Sequence, residues 1–287
     1  MVYGTFMENP TDPHVSLRGK LLKDGSGLPR VGPLPAVRRS VPARELSEDL
    51  RSDLARTGVA LRRFDRPLTN DQYRELGEAL GNPMPETDPA VQPFVEDQVV
   101  LNLISSHEET ADASLQPFAA NYLSLHTESS GRPVPEQPRY LALMCCEPGD
   151  DPQAALTVLT PMERIAQRLA EQDIALLRTT RYRHGDPALR LVRAEDDRLV
   201  LSFRDFMSQP LEWINEDDVA VPAVNDAIGA LLTSMYDPSS AMAVQWEPGL
   251  LVVFDNRVFF HGRTARLRPA NHRRHLKRLR IVANTAD

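Results

Sequence analysis

The sequence contains little that would fix it to an oxidising compartment or a bilayer. It has two cysteines in 287 residues, Cys145 and Cys146, and they are adjacent. Neighbouring residues rarely reach the geometry of a mutual disulfide, so no disulfide framework is available. Such usage suits a reducing compartment, and a cytoplasmic location is expected. No apolar run approaches the roughly 20 residues that cross a bilayer. The stretch from Met1 to Pro13 lacks the apolar core of a signal peptide. Positive charge is also in deficit. The 33 Lys and Arg against 40 Asp and Glu leave a net charge of −7 and a pI near 5.6. A general nucleic-acid binder would show a basic domain, so no nucleic-acid partner is expected.

What is present is a globular composition, 41% hydrophobic and 25% charged, that can bury a real core. The length allows one large domain or two small ones. Residues 1–40 are rich in Pro and Gly and read as an irregular segment; residues 41–287 read as a single domain. Helices are argued from period and punctuation. Leu46, Leu50 and Leu54 recur every fourth residue ahead of Gly58. Thr69 and Gln72 form a capping-box pattern before Tyr73, Leu76 and Leu80. Thr160, Pro161 and Glu163 suggest a capped start for Met162, Ile165 and Leu169. Val224, Ile228, Leu231 and Met235 give a fourth helix. Short apolar runs at 99–104, 122–125, 140–145, 199–203, 250–254 and 276–282 read as strands. They do not alternate regularly with the helices, which disfavours a doubly wound parallel sheet. The expected fold is mainly β with peripheral helices (α+β), a jelly roll.

Two short segments carry the chemistry. Leu123-Ser124-Leu125-His126-Thr127-Glu128 ends an apolar strand with a His and a carboxylate two residues apart, projecting to one side. The run from Leu250 to Phe254 leads through a polar turn to His261. A His-x-Glu pair alone is more often a surface pair. Two His and one carboxylate, each after an apolar strand, form the facial set that holds non-haem Fe(II) and leaves open positions for other ligands. Downstream, Arg274 and Arg278 share one strand face, about 13 Å apart. Two inward guanidinium groups are costly unless anions meet them, and Arg offers a bidentate fork for a dicarboxylate. The plainer alternative is a solvated basic face. Ser129, directly after Glu128, is a candidate pocket-lining and substrate-binding residue, although a plain turn explains it too. Cys145 and Cys146, Trp246 and His184 have structural readings, and the polar stretch at His107, Glu108 and Glu109 reads as a loop over the site.

At this point the sequence resembles the taurine dioxygenase and clavaminate synthase-like family of Fe(II)/2-oxoglutarate enzymes. The matching pieces are Leu125-His126-Thr127-Glu128, Phe254-Asp255-Asn256-Arg257, His261-Gly262-Arg263-Thr264 and Arg274-His275-Leu276. The resemblance implies a double-stranded β-helix, iron on His126, Glu128 and His261, and 2-oxoglutarate and O2 as co-substrates. It implies that Arg274 binds the distal carboxylate of 2-oxoglutarate and that Thr157 adds a hydrogen bond. The segment Gln153-Ala154-Ala155-Leu156-Thr157 departs from the Gly-Gly that usually precedes that Thr. Arg278 matches a position where relatives often meet an acidic group on the substrate. Glu128 in place of Asp looks like the clavaminate synthase branch, which implies an amino acid or an amino-acid-derived natural-product intermediate bearing a carboxylate. The expected reaction is hydroxylation with release of succinate and CO2; desaturation or ring closure is the variant within the family. The retained carboxylate disfavours halogenation. Outside the family, a metal-dependent hydrolase, a non-catalytic jelly-roll binding protein and a basic-patch nucleic-acid binder are the alternatives. Oligomeric state is not legible.

Overall fold

The computed structural model describes residues 1–23, 27–39, 41–105, 108–110, 112, 114–150, 155–195, 198–265 and 273–284. His107, Gln153, Ala154 and His272 therefore lie outside the described residues. Two sheets face each other. The major sheet is eight-stranded. Its central strands are Val59–Phe64, Leu250–Asp255, Tyr140–Glu147, His275–Val282 and Val100–Ile104, hydrogen-bonded in that order. The minor sheet has four strands in the order Met242–Val244, Thr157–Pro161, Phe259–Arg263 and Leu123–His126. Leu141, Leu143, Val252 and Phe254 of the first sheet share a buried cluster with Leu159, Val244 and Phe259 of the second. This is the expected jelly roll.

Both sheets are covered outside as well, so their strands are apolar on both faces. Ala142, Met144, Leu251, Val253, Leu279 and Ile281 pack under helices Ala43–Thr57 and Asn70–Leu80. Leu125, Val158 and Phe260 pack under helix Val221–Met235, with Trp213 in the same cluster. Local signals set these helices. Gly58 takes φ 74° and donates its N–H to the Leu54 carbonyl, ending the first. Thr69 and Gln72 complete both halves of a capping box on the second.

Two expectations are corrected. Residues 1–40 are not irregular throughout: Val2–Phe6 is a strand paired with Leu211–Asn215, and Pro13–Lys23 is a helix. Leu21 and Leu22 are buried from that helix, and Arg18 forms a fork to Glu8 and an ion pair with buried Asp205. Partners distant in sequence thus order a segment whose composition suggests a coil. The other correction is the cap at Thr160. That residue lies inside the strand Thr157–Pro161, opposite Phe260, and the helix Met162–Ala166 starts without a side-chain cap. Pairing across the sheet takes the backbone that the local cap would have used. Cys145 is buried, and burial, then its neighbour Cys146, pushes its thiol up to about 12. Trp246 is buried in the inter-sheet cluster. His184 is exposed and paired with Glu212. These three match their structural readings.

Candidate active site

The sheet register assembles the site. His261 lies directly opposite His126 across the antiparallel pair, and directly opposed residues share a face. Their rings stand 4.2 Å apart between centroids. Gly262 permits this close approach, because a Cβ there would stand 2.7 Å from the Leu123 carbonyl oxygen. Glu128 lies just past the strand end. Its main chain is pinned by Asn256, which accepts from Glu128 N–H at 2.9 Å and donates to its carbonyl at 3.1 Å. Asp255 in turn holds Arg139 at 2.7 Å. The segment from Asp255 to Arg257 is thus a clamp on the turn that presents Glu128.

His126 Nε2 and His261 Nε2 each lie 3.7 Å from Glu128 Oε2. Two ligand atoms about 2.1 Å from a shared divalent ion are at most about 4.2 Å apart; both His–Glu distances meet this, and all three donor atoms lie within 4.8 Å of one another, so the set could share one ion. Among the described residues it is the one group of three such side chains close enough to share a metal. His126 Nδ1 lies 2.8 Å from the Ser124 carbonyl oxygen. A donated hydrogen bond there leaves the Nε2 lone pair facing the cavity. Burial raises the Glu128 carboxyl, but Arg278, His126 and Arg280 outweigh it and hold it well below the usual carboxylate range. Burial, then the neighbouring His126 ring, holds His261 well below the ordinary imidazole value. Glu128 is therefore held ionised and His261 neutral, as a cation needs.

The triad opens on a cavity of about 920 Å³ lined also by Arg274, Thr157, Arg278, Arg280, Ser129 and Glu86. Arg274 is buried and donates to the Ala155 carbonyl at 2.6 Å, beside Thr157 at the start of its strand. Ser129 lines the wall with φ 59°, and its carbonyl accepts from Arg132 N–H, so it is both a turn and a pocket residue. Arg278 differs from the expected free anchor. It donates to Glu86 Oε1 at 2.8 Å and lies 3.5 Å from Glu128. Arg280 takes the other Glu86 oxygen at 2.8 Å and lies 3.6 Å from Glu128. Sequence reasoning missed both Glu86 and Arg280. A two-residue strand period puts Arg280 on the Arg278 face, a signal that could have found it, but nothing local marks Glu86.

The described part of the basic stretch is mostly drawn inward or ion-paired rather than displayed. Arg263 donates to the carbonyls of Gln116, Ala119 and Asn121 at 3.1, 2.6 and 2.6 Å. Arg257 pairs with Glu195. His275 meets Asn102 at 2.8 Å.

Residues 34–280 match the family described as taurine catabolism dioxygenase TauD, TfdA. The chain belongs to the TauD/TfdA family. It is a 2-oxoglutarate-dependent non-haem iron dioxygenase that uses O2. Solved structures of the same fold include PvcB of Pseudomonas aeruginosa, 22% identical over 91% of this chain and 89% of that one, with a TM-score of 0.62. PvcB is described as an Fe, alpha-ketoglutarate dependent oxygenase from an isonitrile synthetic pathway. Asparagine oxygenase, bound to Fe(II), 3-hydroxyasparagine and succinate, is 17% identical over 83% of this chain and 78% of that one, with a TM-score of 0.60. OrfP, a non-haem iron oxygenase bound to Fe and alpha-ketoglutaric acid, is 17% identical over 84% and 81%, with a TM-score of 0.60. No curated protein matches the chain in sequence. Among the described residues of this TauD/TfdA protein, no helix is long and apolar enough to cross a membrane.

Proposed function

We propose that this enzyme hydroxylates an amino acid or an amino-acid-derived intermediate, with Fe(II) held by His126, Glu128 and His261. The observation that carries the reading is the convergence of those donor atoms in one cavity with the buried Arg274. When bound, Fe(II) and 2-oxoglutarate supply oxidising power drawn from O2, with succinate and CO2 released. Arg274 takes the distal carboxylate of 2-oxoglutarate through its guanidinium fork, and Thr157 adds a hydroxyl on the same wall. The buried walls exclude water and hold the reacting C–H bond in place. Arg278 and Arg280 keep Glu128 ionised and oriented rather than binding the substrate, because Glu86 already occupies them. Ser129 borders the substrate space.

The substrate class draws support from the relatives, whose complexes include hydroxyasparagine and hydroxyarginine. A hydrolase would need no guanidinium fork in the cavity to anchor a 2-oxo acid. Two unbridged cysteines support a cytoplasmic setting. The test is anaerobic loading with Fe(II) and 2-oxoglutarate, read as the visible charge-transfer band. The band forms in wild type, is lost in His261→Ala, and needs far more 2-oxoglutarate in Arg274→Ala. Its absence from folded, metal-loaded wild type would defeat the reading.

A further inference from the structure

With Arg278 and Arg280 engaged by Glu86, an acidic group on the substrate needs another partner. We propose that Arg204, presented by Gln116, binds the substrate's carboxylate, and that the substrate is a carboxylic acid with an apolar body. The inference rests on the oxygenase reading above and deepens it.

The backbone geometry aims Arg204 at the site. Arg204 pairs with His126 in an isolated antiparallel bridge. Flanking bonds continue that pairing, from Thr127 N–H to the Phe203 carbonyl at 2.9 Å and from Asp205 N–H to the Leu125 carbonyl at 3.3 Å. Opposed residues on antiparallel chains project to the same face, so Arg204 shares the face of the His126 imidazole. Its own N–H donates to the Tyr182 hydroxyl at 2.9 Å, which fixes the position of its backbone.

The guanidinium is short of counter-charge. Nη2 donates to Gln116 Oε1 at 3.2 Å, and among the described residues no carboxylate pairs with Arg204. Its neighbours around the cavity differ. Arg278 and Arg280 have Glu86, Arg132 has Glu136, and Arg263 is closed on backbone carbonyls. A half-buried fork that faces a cavity without an anion is the group best able to take an incoming carboxylate in bidentate fashion. Gln116 is buried, and its amide N–H groups are further donors beside the fork. Arg204 stands where the main cavity adjoins a second one of about 440 Å³, also lined by Gln116 and Phe206. The wall of the main cavity also offers Leu123, Tyr182, Phe206 and Leu211. A molecule held by its carboxylate at this junction lays an apolar body along them.

The probes are apolar and aromatic amino acids, their N-acetyl derivatives and the methyl ester of each, assayed with Fe(II), 2-oxoglutarate and O2 for stimulated succinate release. The anaerobic charge-transfer band is recorded alongside. Wild type is expected to prefer an acid over its ester by roughly tenfold or more in kcat/KM. Arg204→Gln should raise the KM for that acid roughly tenfold or more while leaving the KM for 2-oxoglutarate and the response to the ester unchanged. Arg204→Lys should keep part of the preference, since an ammonium supplies charge without the fork. Equal use of acid and ester by wild type needs no variant and overturns the assignment. So does an unchanged acid KM in Arg204→Gln, or a panel in which no acid alters the band of wild type. A wild type that forms no band at all defeats the oxygenase reading and takes the Arg204 assignment with it.

Discussion

Replacing Glu86 by Gln removes one charge from a cluster that is neutral as it stands, with Glu86 and Glu128 against Arg278 and Arg280. Glu86 has a side chain 4% exposed, and its two oxygens meet Arg278 and Arg280 at 2.8 Å each. Removing one partner of a buried ion pair costs about 3–5 kcal/mol, because the opposite charge stays behind without compensation. Gln keeps one acceptor oxygen, and Glu128 remains 3.5 and 3.6 Å from the two guanidinium groups. The lower end, about 3 kcal/mol, is therefore expected. At about 2–4 °C per kcal/mol for a chain of this size, Tm should fall by roughly 6–12 °C. The two arginines would then turn to Glu128 and compete with the metal for its oxygens, weakening Fe(II) binding by roughly tenfold or more. Thermal unfolding and an anaerobic Fe(II) titration read the two effects separately. Glu86→Leu combined with Arg280→Leu removes one charge of each sign and should cost less than Glu86→Gln alone. A Glu86→Gln protein with unchanged Tm and unchanged Fe(II) affinity would refute the electrostatic account of this cluster.

Two further outcomes are expected. The Tyr236 hydroxyl donates to Asp205 at 2.6 Å and accepts from Leu125 N–H at 3.1 Å, on the strand that ends in His126. Tyr236→Phe should cost about 1–3 kcal/mol in urea denaturation, since buried groups lose a partner while the ring still packs. An unchanged midpoint would show that this network carries no stability. The metal-free protein should also lose stability as pH falls below about 6.5, the ordinary imidazole value. Below that value the unfolded chain protonates His261 while the folded chain keeps it neutral, because burial and then His126 depress its pKa. His261→Gln should flatten this part of the denaturation profile, and an identical slope in both proteins would contradict the assignment of His261 as a buried neutral imidazole.

The helices that formed as expected carry complete local instructions. At Gly58 the chain needs a left-handed residue to end a helix, and at Thr69 and Gln72 the side chains satisfy the first turn of the next one. Thr160 carried a similar instruction and lost, because the sheet pairing to Phe260 claimed its backbone. Helix Pro13–Lys23 was not legible because its apolar period is weak; Arg18 faces a buried acid 187 residues away in sequence.

By itself the sequence marked His126, Glu128 and His261 as candidate metal donors and Arg274 as a candidate anchor for the co-substrate. Residue type and close spacing at the ends of apolar strands are enough to single these residues out, while the sheet register and the Asn256 clamp bring the donor atoms together. Only the tertiary structure decided which arginines are free to act. Whether a guanidinium in the cavity meets a carboxylate depends on chain segments brought together from far apart: Glu86 onto Arg278 and Arg280, and residues 203–205 alongside 125–127. Such pairings arise from strand register and loop closure across the roll, and no local pattern around Arg204 or Arg278 encodes them.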